Sequence, residues 1–398
     1  MTAQLLPDSA SQATQPNTRR SHVRRPAARP ASRTFCRVLL LTLVCAGLTG
    51  CAFSGLGFYW QSVNGHLSLM QVSRPIEQVL ADEAVSETIR DKLVLAREAR
   101  RFAVTDLSLP DNGSYTGYAD VERPYVLWNV FAASELSLKL KTWCFPVAGC
   151  VSYRGYYDKA DATAYAEKLK ADGFDVRVGG VPAYSTLGWF DDPIPSPVLR
   201  NRPTQIARLI FHELAHQVLY VKGDSGFNES FATAVEIVGV ERWLSRQEAI
   251  SGDQQPRVRY EAARQRKADF LALLRTARDR LQTVYESPVS DERKRTKKQE
   301  VIDLLRQEYQ AIKQTKWDGF KGYDRWFAQP LGNAHLGAIG AYNDGVDAFL
   351  GMLDEVDGNL TDFYELASQV GALAPDERNA RLQGYKQAFV KATDVSED

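Results

Sequence analysis

Phe211-His212-Glu213-Leu214-Ala215-His216 is the stretch of this sequence whose residue types and spacing amount to a reaction centre. Two histidines four residues apart on a helix sit about 40° apart around its axis and one turn along it, so both imidazoles reach one ion from the same face. Zinc at such a site keeps an open position for water and lowers its pKa towards neutrality, while a nearby carboxylate takes the proton as the water attacks a carbonyl. His212 and His216 are thus the candidate ligands of a single zinc ion, and Glu213 the candidate general base. The motif sits in an apolar helix expected from Thr204 to Tyr220, with Ile206, Leu209, Ile210, Leu214 and Val218 on its buried faces.

A third ligand must be brought back to the histidines. The short loop Lys222 to Phe227 reverses the chain, and Asn228 can cap a new helix, expected to Leu244, whose first turn carries Glu229. Glu229 is the preferred ligand. Glu236, seven residues on along the same face, can orient a ligand histidine through its second nitrogen and is also the fallback ligand. Asp224 lies on the loop and Glu241 over a turn too far along. A donor for the developing oxyanion is expected in the Gly/Asn-rich segment Gly332 to Asp344, where His335 and Tyr342 would share a helical face; Tyr342 is the chosen candidate. His66 has no evident partner and reads as a surface residue.

These side chains need a frame, and the expected one is α+β and predominantly helical. Residues 51–110 read as a helical lead-in, rich in Ala, Glu, Leu and Arg from Ile76 to Phe102 and broken at Leu109-Pro110-Asp111-Asn112-Gly113. Residues 111–244 form the catalytic region: strand-like runs Tyr125 to Phe131, Cys150 to Tyr156 and Phe174 to Val178 around a helix from Ala160 to Ala171 predict a small mixed sheet ahead of the two active helices. Residues 245–316 predict a long antiparallel hairpin, Phe270, Leu274, Ala277, Leu281 and Val284 zipping against Val301, Leu305, Tyr309 and Ile312. Its charge run Asp291 to Lys298 reads as a solvated helix start. Residues 317–398 are a C-terminal helical part, with helices expected at Gly345 to Glu355 and Leu360 to Val370.

The first fifty residues read as an export signal. Seven arginines from Arg19 to Arg37 face the single acid Asp8, and the apolar run Val38 to Leu48 is too short to span a bilayer. Its end, Leu48-Thr49-Gly50-Cys51, looks like the lipobox at which bacterial lipoproteins are cleaved and acylated on the cysteine. Ala52 follows where an aspartate would signal inner-membrane retention, so the expected location is the outer membrane, facing the periplasm. Of five cysteines, Cys144 and Cys150 then remain as free thiols, and in an oxidising compartment a tight disulfide between them is expected. The chain holds 49 basic and 49 acidic residues, and with the arginine-rich segment removed it is mildly acidic. That excludes the electrostatic footprint of a nucleic-acid binder.

His212 to Gln217 followed by Asn228-Glu229-Ser230-Phe231-Ala232 resembles the gluzincin pattern of the thermolysin group and the large zinc aminopeptidases. With Thr142 to Cys150, Tyr153 to Tyr156 and Ala183 to Phe190, the mature chain also resembles a family of bacterial lipoproteins described as aminopeptidases. The resemblance implies a zincin-like core, hydrolysis of peptide bonds, and an extended substrate laid on an edge strand, which by position is Tyr184 to Trp189 with Gly188 in it. The loop between the helices is shorter than in the large aminopeptidases, and their Gly-x-Met-Glu-Asn grip on a free amino group is absent, leaving exo- and endopeptidase both open. The alternative is a non-catalytic envelope lipoprotein that scaffolds partners on the same fold.

Overall fold

The computed structural model describes residues 57–145, 149–340 and 345–396. The signal segment, Cys51 and Tyr342 lie outside the described residues. Helix α1 (residues 57–71) leads into β1 (Ser73–Pro75), α2 (Ile76–Leu80) and α3 (Glu87–Thr105). The helical run from Ile76 to Phe102 is interrupted because Asp82 makes a turn: its side chain accepts from the Ala84 amide, and Arg90 reaches back to the carbonyls of Asp82 and Val85.

The next stretch holds β2 (Gly117–Ala119), β3 (Leu127–Ser134), β4 (Trp143–Phe145), β5 (Gly149–Val151), β6 (Arg154–Tyr156), α4 (Lys159–Ala171), β7 (Phe174–Val181) and β8 (Ile194–Pro195). In place of one mixed sheet, the strands divide into three: β1-β2-β8, β6-β3-β7 and the hairpin β4-β5. The expected strand Cys150 to Tyr156 splits because its ends have different partners. Cys150 stands opposite Cys144 in the hairpin, where the two form a disulfide, whereas Arg154 to Tyr156 pair with β3. Strand β3 is buried on both faces. Phe131 and Ala133 pack on Ala334 and Ala338, and strand alternation leaves Val130 and Ala132 for the face that α4 covers.

The second half is helical: α5 (Pro203–Val218), α6 (Ser225–Ser251), α7 (Gln255–Glu286), α8 (Asp291–Thr315), α9 (Asp324–Phe327), α10 (Asn333–Gly340), α11 (Val346–Glu355), α12 (Leu360–Gly371) and α13 (Pro375–Ser396). The protein is α+β and predominantly helical, as expected. Helix α13 falls within the part expected to be helical, although no helix was delimited there: its sequence is largely polar, with Tyr385 its buried aromatic. One core joins Phe102 of α3, Phe211 of α5, Phe231 of α6, Phe349 of α11, Phe363 of α12 and Tyr385, so lead-in and C-terminal helices close around the two motif-bearing ones. A second core fills the seam between α7 and α8, with Ile302 rather than Val301 fully inside. The charged start of α8 is only partly solvated. Arg295 pairs with Glu135 at 2.9 Å and Lys298 with Asp175 at 2.6 Å, docking the hairpin on residues that end β3 and begin β7.

Candidate metal centre

Helix α5 starts on Pro203, whose missing amide costs nothing at a first turn, and stops where Leu219 turns extended. The return to α6 is built by two side chains. Asp224, not Asn228, caps α6, accepting from the Phe227 amide at 3.0 Å, while Arg378 of α13 holds its other oxygen. Asn228 is instead buried inside the helix, clamping both main-chain groups of Val221: its oxygen accepts from the amide at 2.7 Å and its amide donates to the carbonyl at 2.8 Å. This clamp stands one residue before Glu229 and sets how α6 departs from α5. Gly223, at φ 83°, supplies the left-handed residue the turn requires. Gly239 lets the helices close, because a Cβ there would stand 2.9 Å from the Phe211 ring.

His212, His216 and Glu229 converge: one donor atom from each lies within 4.8 Å of the others. The Glu229 carboxylate stands 3.5 Å from Nε2 of His212 and 3.8 Å from Nε2 of His216, too far for good hydrogen bonds to either. All three therefore face a shared space, and they could hold a metal ion there. Two imidazoles and a carboxylate are a donor set that suits zinc with a fourth position open. His212 is oriented from behind, its Nδ1 meeting Glu236 at 3.0 Å, and Glu236 is itself paired with Arg208. Nδ1 of His216 is buried without a hydrogen-bond partner among the described residues.

The electrostatics follow from burial and crowded carboxylates. Burial opposes charge on His212, but Glu229 and Glu236 on its two nitrogens outweigh that and push it up to about 10. Burial pushes His216 down to about 4, and the charge on His212 adds to it. Glu213 is pushed up to about 7 by burial, against the attraction of His212 and with the repulsion of Glu229. A carboxylate poised near neutrality suits a group that must take up and release a proton.

Two cavities meet at this centre, and His212, Glu213 and Glu229 line both. One, of about 460 Å³, is walled by Phe131, Tyr153, Tyr184 and Tyr220. The other, of about 360 Å³, is walled by Arg208 and Lys267. Burial, and next the charge of Glu229, raise both the Tyr153 and the Tyr220 phenol above the usual range, so each keeps its proton to donate. Sequence reasoning missed these two tyrosines as site residues, as it did Arg208 and Lys267. Arg208 lies four residues before His212 on the same helix, which was a legible signal; Lys267 arrives from α7 and carried none.

Other expected positions fall elsewhere. Residues 182–190 form no strand: Leu187 and Gly188 take positive φ, and the Thr186 amide and hydroxyl close a turn onto Asp192 at 2.7 and 2.9 Å. Tyr184 lines the aromatic cavity, whereas Gly188 and Trp189 are not in its wall, and Trp189 is 74% exposed. The edge beside the centre belongs to β7, which pairs with β3 on one side, ends at the cavity wall with Val181, and has no strand on its other side among the described residues. His66 is half-buried rather than a surface residue, its Nδ1 at 2.7 Å from the Tyr184 hydroxyl and its ring 4.4 Å from Phe190. His335 is buried against Trp326, away from the walls of both cavities.

No curated protein and no solved structure matches the chain. A family model described as "Putative aminopeptidase" matches residues 57–382, a span that takes in both helices of the centre, both cavities and the hairpin. The chain belongs to this aminopeptidase family.

Proposed function

We propose that the protein is a zinc-dependent peptidase whose ion is held by His212, His216 and Glu229, with Glu213 as general base. The observation that carries the reading is the convergence of those three donors, with the Glu213 carboxyl beside them in the walls of both cavities. A zinc ion held there supplies Lewis-acid polarisation of a carbonyl and acidifies water. Glu213 takes the proton of the attacking water and passes it to the leaving amine. Tyr153, with Tyr220 beside it in the same wall, donates to the oxyanion that develops on the substrate. Glu236 holds His212 in the tautomer that turns Nε2 inward. The free edge of β7 is the element on which an extended peptide would lie. Aminopeptidase action follows the family, and among the described residues the acids that line the aromatic cavity, where a free amino group would be gripped, are Glu213 and Glu229.

The same proposal places the chain in the bacterial envelope, acylated on Cys51 and facing the periplasm. The lipobox-like Leu48 to Cys51 supports this, and so does the disulfide Cys144–Cys150, which belongs in an oxidising compartment. Among the described residues no helix is long and apolar enough to cross a membrane.

The test is zinc content of the chain from residue 52, beside Glu229→Ala, with cleavage of a peptide library carrying free or acetylated N-termini. One zinc in the wild type, lost in Glu229→Ala and lost with activity on chelation, supports the reading. Acetylation that abolishes cleavage identifies an aminopeptidase; indifference to it identifies an endopeptidase. A chain without zinc and without cleavage overturns the proposal and leaves the scaffold alternative.

A further inference from the structure

The cavity on the Lys267 side continues into a second one of about 510 Å³, and the two share Gln205, Arg208, Thr233, Glu236 and Lys267. The charges along this path are unevenly matched. Arg208 is neutralised by Glu236, and Arg264, farther out, by Glu241. Lys267 and Arg275 form no hydrogen bond or ion pair among the described residues, and Asp347 is the remaining acid in the outer wall. Lys267 is partly buried, and it stands in the same cavity wall as His212, Glu213 and Glu229. Glu236, already held by Arg208 and His212, attracts Lys267 without a direct bond to it, and a partly buried ammonium with no direct partner is costly unless something anionic visits it. Burial, and then the neighbouring Arg208, pull Lys267 below its usual range, against the attraction of Glu236. Among the described residues, the opposite cavity, lined by Phe131, Tyr153 and Tyr184, carries no lysine or arginine in its wall.

Resting on the peptidase reading above, we infer that the substrate is a peptide anchored by an anionic group, which Lys267 receives on the α7 side of the metal centre. The shared chemistry is a carboxylate, supplied either by the C-terminus of a short peptide or by an Asp or Glu side chain close to the scissile bond. Lys267 is then a specificity-determining residue and gives the charged hairpin a place in the reaction: α7 forms the wall that selects substrate. Arg275, at the outer end, draws the same group inward.

The experiment uses a panel of matched peptides: free C-terminal carboxylate against amide, and Asp or Glu against Asn or Gln at each position. Two readouts are taken, kcat/KM with the zinc-loaded wild type, and binding of fluorescent peptides to Glu213→Gln, which needs no turnover. A charge-assisted bond predicts about a 10- to 100-fold preference for the charged member of a pair. The C-terminal pair responds if the source is the terminus; one Asp/Asn or Glu/Gln pair responds if it is a side chain. Placed in the Glu213→Gln background, Lys267→Met brings the binding ratio to about one, Lys267→Arg restores it, and Lys267→Glu inverts it towards neutral or basic peptides. Equal binding of charged and neutral peptides overturns the inference, as does a preference that survives in Lys267→Met. If the wild type cleaves nothing, the peptidase reading fails while the binding ratios still decide this one.

Discussion

Two helix pairs joined by short turns carry charge in opposite ways. In α5 and the first half of α6 ionisable groups are drawn inside: the side chains of Glu236 and His216 are 5% and 9% exposed, and Glu213 stands between the two cavities. In α7 and α8 the seam is apolar, Leu274, Ala277, Leu281 and Leu305 being fully buried, while pairs such as Arg280–Glu308 lie outside it. Burying a charge costs several kcal/mol per ion unless it is paired with good geometry. The first pair accepts that cost where chemistry requires it, and the second avoids it. The second pair departs from its own rule in two places: Lys313, 8% exposed, is held by Asp324 at 2.7 Å, whereas Lys267 has no such direct partner and faces the first pair.

The sharpest break of this contrast is Glu213→Gln. Replacing the base is expected to lower kcat by about 10² to 10⁴ while zinc content stays the same. The thermal midpoint should hold or rise, because the amide has no charge to desolvate. A kcat within tenfold of wild type would remove Glu213 from the mechanism. Leu274→Ala tests the other pair. It truncates a side chain 1% exposed in the hairpin seam and is expected to destabilise the protein by about 2–5 kcal/mol in denaturant titration, with zinc affinity unchanged. If zinc binding weakens in step with stability, the two pairs are one energetic unit and the contrast fails.

What the sequence made legible divides along the same line. Local periodicity announced the hairpin almost residue for residue, including the start of α8 at Asp291, since the zipper is short-range and its pattern uninterrupted. The spacing of His212 and His216 announced a centre because helix geometry alone brings both imidazoles to one face, with Glu213 beside them. The cap of α6 was misplaced by four residues: Asp224 and Asn228 are both good caps, and only the fold decides that Asn228 clamps Val221. The division into three sheets was not legible, because strands of three residues carry almost no alternation and their partners are set by distant contacts. Tyr153 and Lys267 join the site from other elements, and nothing in their local sequence marks them. The run Tyr184 to Trp189 holds the place of an edge strand ahead of the active helix, yet Leu187 and Gly188 turn it. Its side chains fit a strand, but the backbone at positive φ does not.

Smaller effects sharpen the comparison further. Glu236→Gln keeps the size of the side chain but removes the charge that Arg208 and His212 share. Loss of such a supporting carboxylate is expected to weaken zinc binding about 10- to 100-fold, read by competition with a chelator. An unchanged affinity would mean that His212 is oriented by packing alone, and the buried Arg208–Glu236 pair would then serve stability rather than the centre.

The smallest effect belongs to the outer pair. Arg280 and Glu308 meet at 2.8 Å with side chains 35% and 28% exposed, open enough for solvent and salt to screen them. Glu308→Gln is expected to cost about 0.2–1 kcal/mol at low salt and less at high salt, measured by denaturant titration at two ionic strengths. The geometry of this pair is as good as that of the carboxylates around His212, so the difference in expected effect comes from solvent. A cost above about 2 kcal/mol, or one that salt does not reduce, would show that the hairpin also depends on charge held out of water, and the division between the two helix pairs would lose its basis.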